Sequence, residues 1–303
     1  MVHNQAMALR RATALDERTG GRVLDDGDLA AALDVCAKDP VGSVLATARL
    51  EQALEVGIRR AGGDLWGYER DGRLEGICWA GANMVPVVPE APDVDPDRAI
   101  EAFATMARRQ GRRCSSLVGP AYAVMGLWTR LRPAWPGARE VRDDQPSMVI
   151  DSRPSVAPDP LVRRSSIDEL GEVLPACVRM FTEEVGYSPA SGPGGPYETR
   201  VRGLVTNGRS FVRMSESGHP RVVFKAELGA VAGGVAQVQG VWVAPDQRGK
   251  GLSESGMAAV VETALADVAP VVSLYVNSYN ARALAAYRRV GFRQVGSYAT
   301  VLF

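Results

Sequence analysis

Apolar and polar residues alternate in the last third of the chain, and the phase of this alternation changes once. Ala236 and Val238 follow one phase, and Val241 and Val243 follow the other. A shift of one residue is typical of a β-bulge, in which glycine is common. The pattern predicts a strand with a bulge at Gln239-Gly240, and a strand buried on both faces is the alternative.

The spacing of apolar residues then becomes helical. From Met257 to Val268 apolar residues recur every three or four positions, and Pro270 ends the pattern. Asn280 and Gly291 have the residue types that begin and end a helix. The elements predicted after the bulged strand are a helix up to 268, a strand at 271–276, a helix at 281–290 and a strand at 295–303.

The earlier part of the chain divides at a proline-rich segment. Residues 151–160 contain three prolines, which oppose regular structure and predict a linker between domains at 1–150 and 161–303. In the first domain, Asp71-Gly72 joins two alternating runs and predicts a hairpin. The predicted elements of the first domain are strands at 65–70, 73–79 and 115–118 and helices at 98–110 and 122–131. The second domain is predicted to begin with a helix at 167–184 that is interrupted at Pro175 and a loop at 186–196. Strands at 210–214 and 221–231 follow, around a turn at His219.

A short basic loop joins the bulged strand to the next helix, and it reads Gln247-Arg248-Gly249-Lys250-Gly251. Backbone N–H groups at a helix start carry partial positive charge and lack internal partners. The glycines let an anion approach closely, and Arg248 and Lys250 add formal charge. The loop therefore predicts a phosphate or pyrophosphate site, with a basic surface turn as the alternative.

This order of strand, glycine loop, helix, strand and helix resembles the GNAT acyltransferases, over about 235–303 of the chain. Besides the loop, the resemblance rests on Asn277, Asn280, Ala283, Tyr287, Gly291 and Phe292. It implies a mixed α/β fold and acetyl-CoA as acyl donor, with the pyrophosphate on the loop and the pantetheine arm where the bulged strand splays from its neighbour. The implied acetyl-CoA contacts are Val241, Trp242, Val243, Gln247, Arg248, Gly249, Lys250, Gly251, Leu252, Ser253, Asn277, Asn280 and Tyr287.

The first half repeats the order of elements without the glycine loop. In its place stands an acidic segment at 86–97, whose Glu90, Asp93, Asp95 and Asp97 would repel a pyrophosphate. The chain resembles actinobacterial proteins in which a domain of unknown function precedes a GNAT domain. We therefore expect a degenerate acyltransferase-like first domain, and an unrelated α/β domain is the alternative.

The catalytic base is the least defined part of the prediction. Many relatives of the GNAT family carry a glutamate on the bulged strand where this chain has Gln239. A neutral amide can orient a water or substrate but cannot take a proton. Glu227 on the neighbouring strand and Glu184, which with Glu183 ends a predicted helix, are the other candidates. An exposed strand face and a solvated helix end are the alternative interpretations of these two carboxylates.

The proton donor has a clearer candidate. The resemblance implies that Tyr287 points at the sulfur of acetyl-CoA and protonates the departing thiolate, since a phenol of pKa about 10 is not far from a thiol of pKa about 8.5. A core aromatic residue is the alternative for Tyr287. Backbone N–H groups near Val241–Val243 are expected to polarise the thioester carbonyl.

Composition limits the partners. With 35 Lys and Arg against 35 Asp and Glu, the formal charge is zero, so nothing calls for nucleic acid or membrane lipid. No apolar run approaches the ~18 residues that span a bilayer. Four scattered cysteines suggest a cytoplasmic location, and two histidines, His3 and His219, argue against a histidine triad or metal site.

These features predict an N-acetyltransferase that moves an acetyl group from acetyl-CoA to a primary amine by direct attack in a ternary complex. The acceptor is expected to be a small molecule or a peptide amine, and the protein a monomer or homodimer. Two alternatives stay open. One is a non-catalytic acyl-CoA-binding regulatory module, and the other is a small-molecule acetyltransferase similar to mycothiol synthase.

Overall fold

A computed structural model describes residues 20–91, 94–135, 137–190, 194–216 and 220–303. Asp93 and both histidines, with the predicted turn at His219, lie outside the described residues. By its contacts the chain forms two compact units, one made of residues up to Ser147 together with Gly296–Phe303, and the other of Met148–Val295. The sequence-based division had placed residues 296–303 in the C-terminal domain.

Strands and helices alternate along most of the described chain. The strands are β1 Gly21–Leu24, β2 Gly63–Arg70, β3 Arg73–Gly81, β4 Asn83–Val87, β5 Ser116–Pro120, β6 Glu140–Ile150, β7 Arg163–Arg164, β8 Ser210–Met214, β9 Val222–Ala232, β10 Val235–Val243, β11 Val271–Tyr275 and β12 Arg293–Leu302. The helices are α1 Leu29–Ala37, α2 Pro40–Val56, α3 Pro96–Gln110, α4 Ala121–Leu131, α5 Leu170–Val185, α6 Pro196–Thr206, α7 Leu252–Asp267 and α8 Ala281–Val290.

In the first unit the strand order is β1-β2-β3-β4-β5-β12-β6. The hairpin predicted at Asp71-Gly72 is confirmed, because Arg70 pairs with Arg73 and the two turn residues have φ of 53° and 73°. Both values lie in the left-handed region that a two-residue hairpin turn needs. Helices α3 and α4 bury Phe103 and Leu127 in the core of this unit.

In the second unit the order is β11-β10-β9-β8-β7. The bulge predicted in β10 is confirmed. Gln239 pairs with Glu227, and the next pair along the two strands is Trp242 with Lys225, so β10 carries an extra residue there. Gly240 has a φ of 58°, which favours glycine.

Strands β10 and β11 separate soon after they meet. They run parallel and pair at three positions, of which Gln237–Ser273 is the last. Both strands lie wholly within the described residues, and β10 continues to Val243 without pairing to β11. The edge of β10 that faces away from β9 is therefore open beyond the bulge.

Helix α7 packs closely on the sheet because most residues in its first turns have small side chains. A Cβ atom at Gly256 would lie 2.7 Å from the ring of Phe224, so a side chain there would push the helix away. Met257, Val260 and Val261 are fully buried in the core of this unit. The start of α7 is thus held close to the end of β10.

The proline-rich segment 151–160 has no helix or strand, yet it is fixed to the second unit. The Ser155 N–H donates to the carbonyl of Val290 at 2.8 Å, and Asp159 accepts from the Arg213 guanidinium at 2.6 Å. Asp159 is buried. The segment is therefore an ordered part of the second unit.

Several elements were not anticipated by the sequence. The largest in the second unit is α6, which buries only Val201 and Val205 and so has a weak apolar pattern. Helix α5 is continuous through Pro175, where the sequence predicts an interruption. No helix among the described residues is both long and apolar enough to cross a membrane.

Candidate functional site

A cleft of about 670 Å³ lies where β10 ends and helices α7 and α8 begin. Residues from the bulged strand, the glycine loop and both helices line it. Of the residues proposed from the sequence, the lining contains Val241, Trp242, Val243, Gln247, Arg248, Gly249, Gly251, Leu252, Ser253, Asn280 and Tyr287. Segments that are far apart in sequence therefore meet in one cavity.

The glycine loop presents backbone donors to this cleft. Gly249 and Gly251 have φ of 79° and 78°, and Gly251 is the N-cap of α7. In the described part of the chain the N–H groups of Leu252 and Ser253 have no acceptor, whereas the next two amides donate to the Gly251 carbonyl. Two free donors at a helix start favour an anion.

The loop also leaves room for a ligand. A Cβ atom built on Gly249 or Gly251 would have no neighbour within 4 Å. The glycines are thus required by the backbone conformation rather than by crowding. An anionic group can approach these two residues without meeting a side chain.

The side chains of the two basic residues of the loop already have partners within the protein. Arg248 lines the cleft, and its guanidinium lies 2.6 Å from the Glu183 carboxylate and donates to the Val243 carbonyl at 3.1 Å. Lys250 donates to the Gln247 side chain at 3.0 Å and does not line the cleft. The charge that the sequence assigned to both residues is therefore available mainly through Arg248, whose ion pair is exposed and weak.

The asparagines of the motif have different places. Asn280 lines the cleft, and its side chain caps α8 by accepting from the Ala283 N–H at 3.1 Å. Asn277 donates to the hydroxyl of Tyr279 at 2.8 Å and lies outside the cleft lining. The cap predicted at Asn280 is confirmed, as is the left-handed Gly291 at the other end of α8.

Tyr287 belongs both to the lining of the cleft and to the hydrophobic core, which the sequence leaves open as alternatives. It lines the cleft, yet it is only 8% exposed and belongs to the core, where its ring packs edge-on against Phe292 at 5.9 Å. Burial, followed by the negative charge of Glu184, raises the pKa of Tyr287 above its usual value. The phenol is therefore protonated at neutral pH.

A second pocket of about 320 Å³ lies beside the bulge. Gln239 and Gly240 line it, and they directly precede the residues of β10 that line the first cleft. The two cavities therefore adjoin along one strand. Three candidates for the base, Gln239, Glu227 and Glu184, all line this second pocket.

Glu227 is not on an exposed strand face. It is 2% exposed and lies between two cations, with the Lys225 ammonium at 2.9 Å and the Arg200 guanidinium at 3.0 Å. Burial alone would raise the pKa of Glu227, but the charges of Lys225 and Arg200 outweigh burial and lower it. Glu227 is therefore a stable carboxylate and a weak base.

Gln239 is held by its neighbours. Its amide nitrogen donates to the Gln237 side chain at 3.0 Å. Its amide oxygen packs against Gly229 so closely that a Cβ atom on that glycine would lie only 2.1 Å from it. Glu184 is exposed at the rim of the pocket. Of the three candidates, only Glu184 is a carboxylate that reaches solvent.

The sequence pattern does not predict the roles of Lys225 and Arg200. Lys225 is fully buried, and Arg200 lies on α6, which the apolar pattern did not predict. One signal was present. Lys225 and Glu227 stand two residues apart in an otherwise apolar strand, so they share a face and have opposite charges.

The first unit contrasts with this arrangement. Helix α3 begins after Asp95, whose carboxylate accepts from the Arg98 N–H at 3.2 Å. A carboxylate thus already occupies the helix start where the second unit has Gly251. Among the described residues, no group of histidine, cysteine and acidic side chains could hold a metal ion.

Comparison with known families identifies the second unit. Residues 206–292 match the acetyltransferase (GNAT) family, and this range contains β10, the glycine loop and α8. The chain carries a GNAT acetyltransferase domain. Residues 63–173 match a domain of unknown function, DUF4081. Together the two matches agree with the predicted order of an uncharacterised domain before a GNAT domain.

Solved GNAT structures share this fold. A GCN5-related N-acetyltransferase from Sphaerobacter thermophilus has 15% identity and a TM-score of 0.57, over 95% of this chain and 96% of that chain. A GNAT-family acetyltransferase from Colwellia psychrerythraea has 11% identity and a TM-score of 0.55, over 93% and 99%. A tandem GNAT protein from the clavulanic acid biosynthesis pathway has 12% identity and a TM-score of 0.51, over 93% and 98%.

These likenesses confirm the mixed α/β GNAT fold across nearly the whole chain. No curated protein sequence matches the chain. The presence of the GNAT domain supports acyl transfer as its chemistry and an acyl-CoA as its donor.

Proposed function

We propose that the protein is an N-acetyltransferase that transfers an acetyl group from acetyl-CoA to a primary amine in a ternary complex. The observation that carries this proposal is the 670 Å³ cleft, in which the free amides of the glycine loop, the open edge of β10 and the Tyr287 side chain meet. An anion-binding helix start, an unpaired strand edge and a phenol are the groups that a pyrophosphate, an amide-containing arm and a thiolate require.

Acetyl-CoA would lie along the cleft with three of its parts held by three groups of residues. The Leu252 and Ser253 N–H groups and Arg248 would hold the pyrophosphate. The backbone of Val241–Val243, which is unpaired on the side of β11, would hold the pantetheine arm. Bound there, acetyl-CoA supplies an activated thioester.

The amine must lose a proton before it attacks. An unperturbed lysine-type amine has a pKa of about 10.4, so roughly four in ten thousand are neutral at pH 7. We assign the proton acceptor to Glu184, acting directly or through water. Gln239 cannot take a proton, and Glu227 is neutralised by Lys225. Gln239 instead orients the acceptor at the bulge.

Tyr287 is assigned as the proton donor to the departing thiolate. Its raised pKa makes the transfer less favourable than for a phenol in water. The same burial also disfavours a free thiolate, because a dry site penalises the charged form of both groups. The phenol can therefore stabilise the thiolate by hydrogen bonding and proton transfer.

The test combines binding with turnover. Calorimetry with acetyl-CoA should give a saturable site, and incubation with pooled amines, peptides and aminoglycosides should give a product heavier by one acetyl group in a mass spectrum. Glu184→Gln should slow product formation by roughly a hundredfold, whereas Glu172→Gln, an exposed residue near the start of the same helix, should not. A protein that does not bind acetyl-CoA would contradict the proposal.

A non-catalytic acyl-CoA-binding module is the second candidate. Gln239 favours this candidate, because it stands where many GNAT relatives carry a glutamate that can accept a proton. Its amide is held by the Gln237 side chain and cannot take a proton. Binding of acetyl-CoA without acetylation of any amine, in wild type and Glu184→Gln alike, would select this module. Acetylation confined to the amine of a thiol-containing sugar would select the alternative similar to mycothiol synthase.

A further inference from the structure

Arg200 uses only part of its guanidinium within the protein. One terminal nitrogen, Nη1, donates to the Glu227 carboxylate at 3.0 Å. In the described part of the chain, its other N–H groups have no acceptor. The side chain is 42% exposed, and it lines the 320 Å³ pocket beside the bulge. Arg200 thus offers a planar pair of free donors to whatever enters this pocket.

The charges below the pocket do not balance. Lys225 and Arg200 contribute two positive charges, and Glu227, which contacts both, contributes one negative charge. Lys225 and Glu227 are buried and Arg200 is half-buried, so water screens them incompletely. The cluster therefore has an excess of one positive charge, which faces the pocket through Arg200.

The opposite charge stands at the rim. Glu184 lines the same pocket and is exposed. A ligand with a cation near Glu184 and an anion near Arg200 would complement both. Guanidinium groups with two free donors bind carboxylates in a forked geometry, which adds orientation to attraction.

We propose that Arg200 binds a carboxylate of the acceptor, so that the acceptor is a compact zwitterion of the amino acid type with its amine towards Glu184. This inference rests on the proposed function, because it concerns the acceptor of the same reaction. Arg200 selects the substrate and orients the amine towards the thioester. It takes no part in proton transfer.

The walls of the pocket add a preference for the side chain. Phe181 and Tyr197 line the pocket with ring centres 5.5 Å apart in an edge-on arrangement. Tyr187 also packs edge-on against Phe181, with ring centres 5.5 Å apart. The rings form an apolar wall, so an amino acid with an aromatic or large apolar side chain fits better than a charged one.

The test uses product-like ligands that need no catalysis. Protein saturated with CoA is titrated in a calorimeter with N-acetyl-L-phenylalanine, and separately with N-acetylphenethylamine, which lacks the carboxylate. The carboxylate should bind at least tenfold more tightly. In Arg200→Gln this advantage should disappear, whereas Arg202→Gln should keep it, since Arg202 is paired with Glu198 on the exposed side of the same helix.

Turnover gives a second readout. L-phenylalanine should be acetylated with a higher kcat/KM than L-phenylalaninamide or phenethylamine, and Arg200→Gln should raise KM for the amino acid alone. Equal binding of the two product-like ligands, or no detectable binding of the carboxylate, would overturn the inference. Failure of the proposed function is distinguishable, because then acetyl-CoA itself would not bind or no amine would be acetylated.

Discussion

The Lys225 ammonium donates to the carbonyl of Gly240 at 3.0 Å while it contacts the Glu227 carboxylate at 2.9 Å. A fully buried charge therefore holds the bulge that turns the edge of β10 towards the cleft. The fit is tight, because a Cβ atom on Gly240 would lie 2.4 Å from Glu227 Oε1. The bulge is thus fixed by both the backbone conformation and the ion pair below it.

Lys225→Met should destabilise the protein by about 3 kcal/mol, because it leaves a buried carboxylate with one cation and the Gly240 carbonyl without its donor. Urea unfolding followed by circular dichroism measures the change. The double variant Lys225→Met/Glu227→Leu should recover part of the loss, since it removes the buried carboxylate together with its cation and leaves unpaired only Arg200, whose side chain is 42% exposed to solvent. A loss below about 0.5 kcal/mol in the single variant, which is typical of surface substitutions, would contradict this account.

Gly251→Asp should lower the affinity for acetyl-CoA at least tenfold, which corresponds to about 1.4 kcal/mol. The substitution places a carboxylate at the helix start that faces the cleft. The matched control is Gly251→Asn, because asparagine has nearly the same shape, carries no charge and tolerates a positive φ such as the 78° found here. Calorimetry on both variants separates charge from shape, and an equal affinity in wild type and Gly251→Asp would remove the loop from the binding site.

Tyr287→Phe should slow acetyl transfer by roughly a hundredfold and leave the affinity for acetyl-CoA nearly unchanged. The ring stays in place against Phe292, so only the hydroxyl is lost. Single-turnover kinetics measure the chemical step directly. Tyr279→Phe serves as the control, since Tyr279 is 73% exposed and lies outside the cleft lining. A single-turnover rate equal to that of wild type would return Tyr287 to a purely structural role.

One molecule of acetyl-CoA should bind per chain. In the first unit, the Asp95 carboxylate caps the start of α3, and Glu90 and Asp97 add negative charge to the same segment. The binding stoichiometry from calorimetry should therefore be about one. Gly251→Asp supplies the decisive comparison, because a second site in the first unit would survive this substitution as residual tight binding.

Local features of the cleft could be predicted from the sequence because they depend on neighbouring residues. The bulge at Gly240, the cap at Asn280 and the left-handed Gly291 each follow from one residue type in one backbone conformation. The helix of α7 and the hairpin at Asp71-Gly72 follow from periodicity and turn chemistry in the same way.

The environments of the charged residues could not be predicted, because their partners are distant in sequence. Glu183 pairs with Arg248, which is 65 residues away in the sequence. Glu227 pairs with Arg200, which lies on helix α6, and the weak apolar pattern of that helix does not predict it. The place of residues 296–303 was likewise decided by pairing, since Tyr298 lies opposite Pro120 of β5.

The sequence by itself therefore determined the order of elements from β10 to β12, the glycine loop and the position of the phenol on α8, since short-range sterics and hydrogen bonding specify these. Only the tertiary structure decided that Glu227 is a buried ion-pair partner and that Glu184 reaches solvent. The residue type alone does not determine whether a carboxylate can accept a proton, because its pKa depends on its burial and on the charges around it.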